Sequence, residues 1–246
     1  MKHFISAIVF LLSSAPLAAQ DHLLPEESLF TGIYYERALS LLSSRLGRMY
    51  GPEAFANVVV LPSFSREYVI VFEKSKADEY KLVCMHTKQS MGSYQYLENL
   101  KSGRLTVFDG QVDQTEQEIA RIESELPADY IDVEAVIVEL HVDENVGRQL
   151  YKVWGRMLYE TRYPKPESLE PGSRAPFGVG HDGTMHHFSF FHDFQPLSGL
   201  TWDYPANGRI AKLVELVSAS KEACDATDQN VSRVLSTKLR AFRDND

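Results

Sequence analysis

The fold class is indicated first by residues 57–86, which read NVVVLPSFSREYVIVFEKSKADEYKLVCMH. Two runs rich in β-branched and aromatic residues stand on either side of Pro62, and this composition is typical of strands separated by a break or an edge position. A polar turn at 76–79 leads into a third run of the same kind, which carries Cys84. The stretch therefore predicts a hairpin that belongs to a larger sheet.

The rest of the chain mixes helical and strand patterns without the regular spacing of βαβ units. Helical periodicity is found at 29–49, 114–126, 143–161, 207–224 and 229–242, and strand patterns are found at 131–141, 185–191 and 200–204. Residues 88–112 follow neither period and predict one or two short strands with a loop. The apolar run 133–140 predicts a strand in the centre of the sheet. A single α+β domain, residues 20–246, is favoured over a doubly wound fold, with helices covering an antiparallel or mixed sheet.

Residues 1–19 have the layout of a secretory signal peptide. Lys2 precedes the short apolar stretch 4–12, and small residues follow as far as Ala19. A membrane-spanning helix needs about 20 apolar residues, so cleavage near Gln20 is expected rather than an uncleaved anchor. No later run of the sequence is apolar enough to span a bilayer. The mature chain is therefore expected to be periplasmic or secreted.

The charge balance excludes one class of partner and leaves another open. Lys and Arg number 25 against 34 Asp and Glu, so the net charge is −9. Loss of Lys2 with the signal peptide would make the mature chain one unit more negative. Nucleic-acid binding needs a cationic surface, which this composition argues against. Acidity suits a cationic partner, although a solvated surface is its more common explanation.

Cys84 and Cys224 are the two cysteines of the chain. An even number in an exported protein favours a disulfide, and two separate buried thiols are the alternative. Catalytic dithiols usually form Cys-x-x-Cys pairs, and structural zinc sites use four ligands, so neither fits two cysteines this far apart in the sequence.

Histidine supplies the most visible candidate chemistry. Four histidines and two aspartates fall in one short segment: His181, Asp182, His186, His187, His192 and Asp193. Imidazole and carboxylate groups are ligands of zinc and other transition metals. Adjacent residues of a strand point to opposite faces, however, so His186 and His187 cannot reach one ion. We therefore predict no metal, no cofactor and one histidine packed in the sheet; the weaker alternative is a metal held by His181, His186 and His192.

Other catalytic patterns are not found in the sequence. It has no Gly-x-Ser-x-Gly elbow and no Gly-rich phosphate loop. Trp154 lies on the apolar stripe of a predicted helix and is expected in the core, whereas Trp202 fits either a core or a groove. The Pro- and Gly-rich stretch 164–180 predicts a long surface loop. No catalytic residue is assigned.

The C-terminal half of the chain resembles a group of small exported proteins of Gram-negative bacteria. The resemblance is carried by Trp154, Arg162-Tyr163, Asp182-Gly183-Thr184, His187-Phe188-Ser189, Gly199-Leu-Thr-Trp202 and Leu213-Val-Glu-Leu216, with Leu61-Pro-Ser-Phe64 and Glu67 nearer the N-terminus. It implies export and one shared fold, and it brings no catalytic residues.

Two functions are compatible with these observations. The first is a protein-binding module, in its sharpest form an immunity protein or inhibitor that acts on a secreted toxin or lytic enzyme. The alternative is an exported hydrolase, metal-assisted, centred on the segment from His181 to His192. The first is favoured because the sequence contains no recognisable catalytic constellation, and because small acidic exported proteins include inhibitors, an analogy of class.

Overall fold

The structure is a computed structural model that describes residues 23, 33–46, 53–62, 65–104, 112–160, 183–192, 195–202, 208–227 and 230–242. The predicted signal peptide, 1–19, and the predicted loop, 164–180, lie outside the described residues. Among the helices that are described, none is long and apolar enough to cross a membrane.

In the described part of the chain, six strands form one antiparallel sheet in the order β4-β3-β2-β1-β5-β6. Their bounds are β1 Ala54–Pro62, β2 Tyr68–Lys74, β3 Tyr80–Thr87, β4 Ala135–Val142, β5 Thr184–His192 and β6 Gln195–Trp202. The strands predicted from residues 57–86 are therefore confirmed, and so is the α+β class. Of the two sheet types left open by the sequence, the antiparallel one is found.

The described helices and one short 3₁₀ turn are interleaved with these strands. Their bounds are α1 Ile33–Leu46, α2 Gly92–Lys101, α3 Val112–Glu125, the 3₁₀ turn Tyr130–Asp132, α4 Glu144–Glu160, α5 Gly208–Asp225 and α6 Val231–Arg240. Helix α2 lies in the stretch 88–112, for which strands and a loop were expected, so the prediction is wrong for residues 92–101. Residues 105–111 lie outside the described residues.

Two apolar cores lie on opposite sides of the sheet, as the period-2 alternation of strand side chains requires. We call the side that packs against α4, α5 and α6 the α5 face; it carries Ile70, Phe72, Leu82, Cys84 and Phe188. We call the other side, which packs against α1 and the N-terminal end of α2, the α1 face; it carries Val59, Val69, Val71, Val83 and Met85. Because both faces are covered, β1 is buried along its whole length.

Trp154 lies in the core, as predicted. Its side chain is fully buried, and its indole Nε1–H donates to the carbonyl of Ser189 at 3.1 Å. The ring contacts Phe72 and Phe188 on the α5 face, with ring centroids 5.1 and 5.6 Å away. Two turns earlier in α4, Gly147 permits a close approach to the sheet, since a Cβ there would lie 2.1 Å from the ring of Tyr80.

Strand β4 departs from its predicted place. It begins at Ala135 rather than near Ile131, because the 3₁₀ turn Tyr130–Asp132 precedes it. It is an edge of the sheet, not a central strand, since β3 is its one neighbour among the described strands. Its apolar run reflects packing of Leu140 and Val142 on the α5 face, while Ile137 on the α1 face stays 48% exposed.

The disulfide between Cys84 and Cys224 is present, with Cα atoms 6.3 Å apart. It joins β3 to the C-terminal end of α5, across the α5 face. Both cysteines are buried, and no free cysteine is found. The predicted pairing is therefore confirmed, and the bond fixes one end of α5 against the sheet.

Candidate functional site

The histidines of the candidate metal segment do not converge in the described structure. His186 lies opposite Val60 of β1 and His187 lies opposite Val59, so the two imidazoles are on opposite faces of the sheet. Both are buried, at 0% and 3% exposure, whereas one buried histidine was expected. The difference arises because both faces of β5 are covered. His181, Asp182 and Asp193 lie outside the described residues, as does the side chain of His192.

Burial governs the chemistry of His186. Desolvation lowers the pKa of its imidazole to about 4, and a hydrogen bond with the backbone of Thr184 offsets part of this effect. The ring stacks on Phe188, with centroids 6.1 Å apart. A neutral imidazole between the sheet and an apolar layer is part of the core. Within the described ranges, no three His, Cys, Asp or Glu side chains are placed to hold a metal ion.

The titration of His186 predicts an acid-dependent loss of stability. The unfolded imidazole has its ordinary pKa of 6.5, above the folded value of about 4, so the unfolded chain binds the proton more tightly. Its contribution is complete above pH 6.5 and decreases as the pH falls toward 4. Between about pH 7 and pH 4.5 we expect a loss of about 2–3 kcal/mol from this residue.

Urea unfolding at the two pH values measures this loss. His186→Asn, which cannot titrate, is expected to reduce the difference between them, whereas His141→Asn at an exposed position of β4 is expected to keep it. Carboxylates titrate in the same range in all three proteins, so the comparison isolates the imidazole. Equal pH dependence in wild type and His186→Asn would contradict the prediction.

The edge strand β4 directs alternate backbone groups away from the sheet. The N–H of Thr87 donates toward β2, to the carbonyl of Glu67 at 3.2 Å, and the N–H of Lys88 donates toward β4, to the carbonyl of Glu134 at 2.7 Å. Since sides alternate along an antiparallel ladder, even-numbered residues of β4 bond to β3. The residues whose N–H and C=O groups point outward are Ala135, Ile137, Glu139 and His141.

One contact just beyond β4 supports this assignment. Asp143 has the same parity as the outward residues, and its N–H donates to the hydroxyl oxygen of Ser232, from α6, at 2.8 Å. Helix α6 therefore covers the chain where β4 ends. Along β4 itself, the structure describes no further strand on this side.

Apolar side chains are concentrated on this segment. Four large hydrophobic residues of the described structure are exposed, and two of them belong to 130–142: Ile131 at 53% and Ile137 at 48%. Natural edge strands are usually protected by proline, bulges or charge. Strand β4 contains no proline and pairs with β3 in unbroken register. Glu139 does bring charge to the strand, but the exposed side chain of Ile137 gives this edge an apolar position that another chain can contact.

Charged pairs flank Ile137 on both sides. Glu139 lies 4.0 Å from Lys81 of β3, and Glu134 pairs with Lys88 just before the strand begins. All four side chains are at least two-fifths exposed, so each pair contributes at most about 1 kcal/mol to folding. Ile137 is therefore an exposed apolar residue with charged side chains around it. An apolar centre with a polar rim is typical of protein interfaces.

The sequence did not reveal this surface. Ile137 lies within the apolar run 133–140, which was interpreted as a central strand. Glu139 and His141 were the available indications, because charged and polar residues at alternate positions are typical of one solvated face. Comparisons with family models, with curated proteins and with solved structures gave no match to this chain.

Proposed function

We propose that this protein is an exported binding module that occludes a secreted toxin or lytic enzyme, as an inhibitor or immunity protein. The observation that carries the proposal is the β4 edge, defined as the outward backbone of Ala135, Ile137, Glu139 and His141. An extended segment of the partner would pair with this edge as a seventh strand. Strand addition is a common mode of peptide recognition, in which the backbone supplies affinity and side-chain contacts supply specificity.

The dimensions of the edge suit this role. Eight residues at about 3.4 Å each make β4 about 27 Å long, enough to pair with a partner strand of ordinary length. Ile137 would be covered by a side chain of the added strand, and burial of a side chain of this size stabilises by about 1.5–3 kcal/mol when complete. The acidity of the whole chain would speed association with a cationic partner.

Export is supported by two observations. The N-terminal 19 residues have the layout of a signal peptide, and disulfides persist mainly in oxidising compartments. The buried Cys84–Cys224 bond is consistent with such a compartment. A metal-assisted hydrolase has less support, because His186, the candidate ligand whose side chain is described, is fully buried and stacked on Phe188.

Substitution of Ile137 tests the proposed edge. Ile137→Pro removes an outward N–H and leaves the bonds between β3 and β4 in place, so the fold should persist. We expect partner affinity to fall about 30-fold or more, the effect of losing an interface hot spot worth about 2 kcal/mol. Ile137→Lys and Tyr159→Lys form a matched pair, since their native side chains are 48% and 50% exposed and Tyr159 lies on α4.

The partner can be identified through the same position. A photo-cross-linking residue at 137, and separately at 159, is placed in the protein as it is exported by its native cell. We expect a protein adduct from 137 alone, and inhibition of that purified partner by wild type and Tyr159→Lys. Adducts only with a second copy, no adduct from 137, or full inhibition by Ile137→Pro would each contradict the proposal. Cleavage of the partner would favour the hydrolase.

A further inference from the structure

A polar cleft of about 530 Å³ lies apart from the β4 edge, where β2 begins and α5 ends. This volume is in the range of small-molecule sites. Its walls come from four separate segments and include Arg66, Tyr68, His86, Ser90, Lys221 and Asp225.

The fold sets the two main walls of the cleft. Tyr68 and His86 are paired directly across β2 and β3, and they lie on the α5 face. Cys84, two residues before His86, is bonded to Cys224 of α5. Because Cys224 lies between Lys221 and Asp225, the disulfide holds the wall that carries these two charges against the wall that carries the imidazole.

Lys221 is held in a defined position. Its ammonium Nζ lies 2.5 Å from a carboxylate oxygen of Asp225, one helical turn along α5. The same nitrogen lies 5.3 Å from the centre of the Tyr68 ring, a cation–π contact. Its side chain is 29% exposed, so an ammonium group with two neighbours faces the cleft with limited freedom.

Arg66 supplies a second cation at the mouth of the cleft. The residue is exposed, and no carboxylate in the part of the chain that the structure describes forms an ion pair with it. Arg66 and Lys221 both lower the pKa of His86, after the larger effect of burial, whereas Asp225 raises it. Both cations affect the pKa of the imidazole because all three groups line the same cleft. The cleft thus has two permanent positive charges and one negative charge, in a chain of net charge −9.

We propose that this cleft binds the phosphate group of a small phosphorylated molecule. The planar guanidinium of Arg66 can donate two parallel hydrogen bonds to phosphate oxygens, and Lys221 supplies a second charge. His86 adds a third donor when its imidazole is protonated. The ring of Tyr68 forms an apolar wall for the body of the ligand. Free inorganic phosphate and a phosphate monoester present the same chemistry to these groups.

Binding is expected to change the titration of His86. The groups that face its imidazole are Lys221 and Asp225 from α5, Arg66 from just before β2, Tyr68 from the start of β2, and Ser90 from the loop before α2. A bound phosphate adds negative charge to this set and favours the imidazolium. The pKa of His86 should therefore rise when phosphate is added.

NMR titration of the full exported chain tests the site. Inorganic phosphate and glycerol 3-phosphate are added in separate experiments, with acetate and chloride as control anions. We expect saturable shifts of His86 resonances with at least one phosphate compound, together with a rise in the pKa of His86. The resonances of His141, which is exposed on β4, should stay in place. Tighter binding of glycerol 3-phosphate would identify a monoester as the ligand, whereas tighter binding of inorganic phosphate would overturn a phosphorylated molecule in favour of the free ion. Equal binding would show that the phosphate group alone is recognised.

Charge-removing variants complete the test. Arg66→Gln and Lys221→Gln are each expected to weaken binding about tenfold, the value of one charge-assisted hydrogen bond. Lys74→Gln, at the opposite end of β2, removes an equal charge and should leave binding unchanged. Equal weakening by all three variants, equal shifts of His86 and His141, or shifts of equal size with acetate would show general ionic effects only and overturn the proposal. Absence of saturable binding would overturn it as well.

Discussion

The variant in which Cys84 and Cys224 are both replaced by alanine is expected to lose about 2–5 kcal/mol of unfolding free energy, the usual range for native disulfides of small secreted domains. The bond closes a loop with a sequence separation of 140 residues. In the chain-entropy model a loop of about 100 residues already restricts the unfolded chain by about 4.7 kcal/mol, and longer loops add slowly to this value. The effect should appear as a lower midpoint in urea.

Reduction provides the matched control for this variant. Wild type unfolded in the presence of a thiol reductant retains both sulfur atoms and loses only the covalent bond. If the bond itself carries the effect, reduced wild type and the double alanine variant should unfold at similar urea concentrations, both below oxidised wild type. Equal midpoints for oxidised and reduced wild type would contradict the prediction. Two titratable thiols in the native, unreduced protein would also contradict it.

The sequence correctly predicted those helices and strands whose structure is determined by the composition and spacing of neighbouring residues. The strands of residues 57–86 are strongly β-branched, and each is buried on both faces of the sheet. Trp154 lies on an apolar stripe of α4, which could be read from its spacing alone. In these elements the residues that determine the local structure are close together in the sequence.

Strand order could not be read in the same way. The apolar run 133–140 fits a strand that is buried on both faces, yet β4 lies at the edge. The position of β4 in the sheet is set by its pairing with β3, by the helices on the α5 face and by the 3₁₀ turn before it. These contacts join distant parts of the sequence, so hydrophobicity within β4 alone does not distinguish an edge from a centre.

The cleft was missed for a related reason. Arg66, His86 and Lys221 are separated by 20 and by 135 positions, and none belongs to a recognisable motif. Their meeting depends on the pairing of β2 with β3 and on the disulfide that fixes α5. Four histidines were singled out from the sequence, and the two whose side chains are described, His186 and His187, are instead divided between two cores.

Helix α2 shows how a distant residue can decide local structure. Its sequence has little apolar periodicity, no acidic residue in its first turn and no capping side chain at Met91. The missing cap is supplied by Glu67, which precedes β2. The carboxylate of Glu67 accepts the N–H groups of Met91 and Gly92 at 2.8 and 3.0 Å, so it neutralises the N-terminal end of the helix.

Glu67→Ala is accordingly expected to destabilise the protein by about 4 kcal/mol. Glu67 is fully buried, and its two oxygens also accept the hydroxyl groups of Thr87 and Ser90, each at 3.1 Å. Removing the carboxylate leaves the buried N–H of Met91 without this acceptor, and an unsatisfied buried donor costs about 1–3 kcal/mol. The N–H of Gly92 loses one of two acceptors, since it also donates to the hydroxyl oxygen of Ser90 at 3.1 Å. Loss of the charge–helix interaction adds to this cost.

The matched variants separate the buried carboxylate from ordinary surface charge. Glu98→Ala on α2 removes an exposed carboxylate that pairs with Arg37 at 2.5 Å, and it should cost at most about 1 kcal/mol. Glu67→Gln should fall between the two alanine variants, because its amide keeps one acceptor oxygen and turns an N–H₂ group toward groups that are themselves donors. Hydrogen exchange at Met91 and Gly92 should accelerate in Glu67→Ala and stay slow in Glu98→Ala. The carboxylate of Glu67 accepts four hydrogen bonds, so its removal should lower the unfolding midpoint well below that of Glu98→Ala. If the two alanine variants unfold at the same urea concentration, α2 does not depend on this carboxylate and the prediction is wrong.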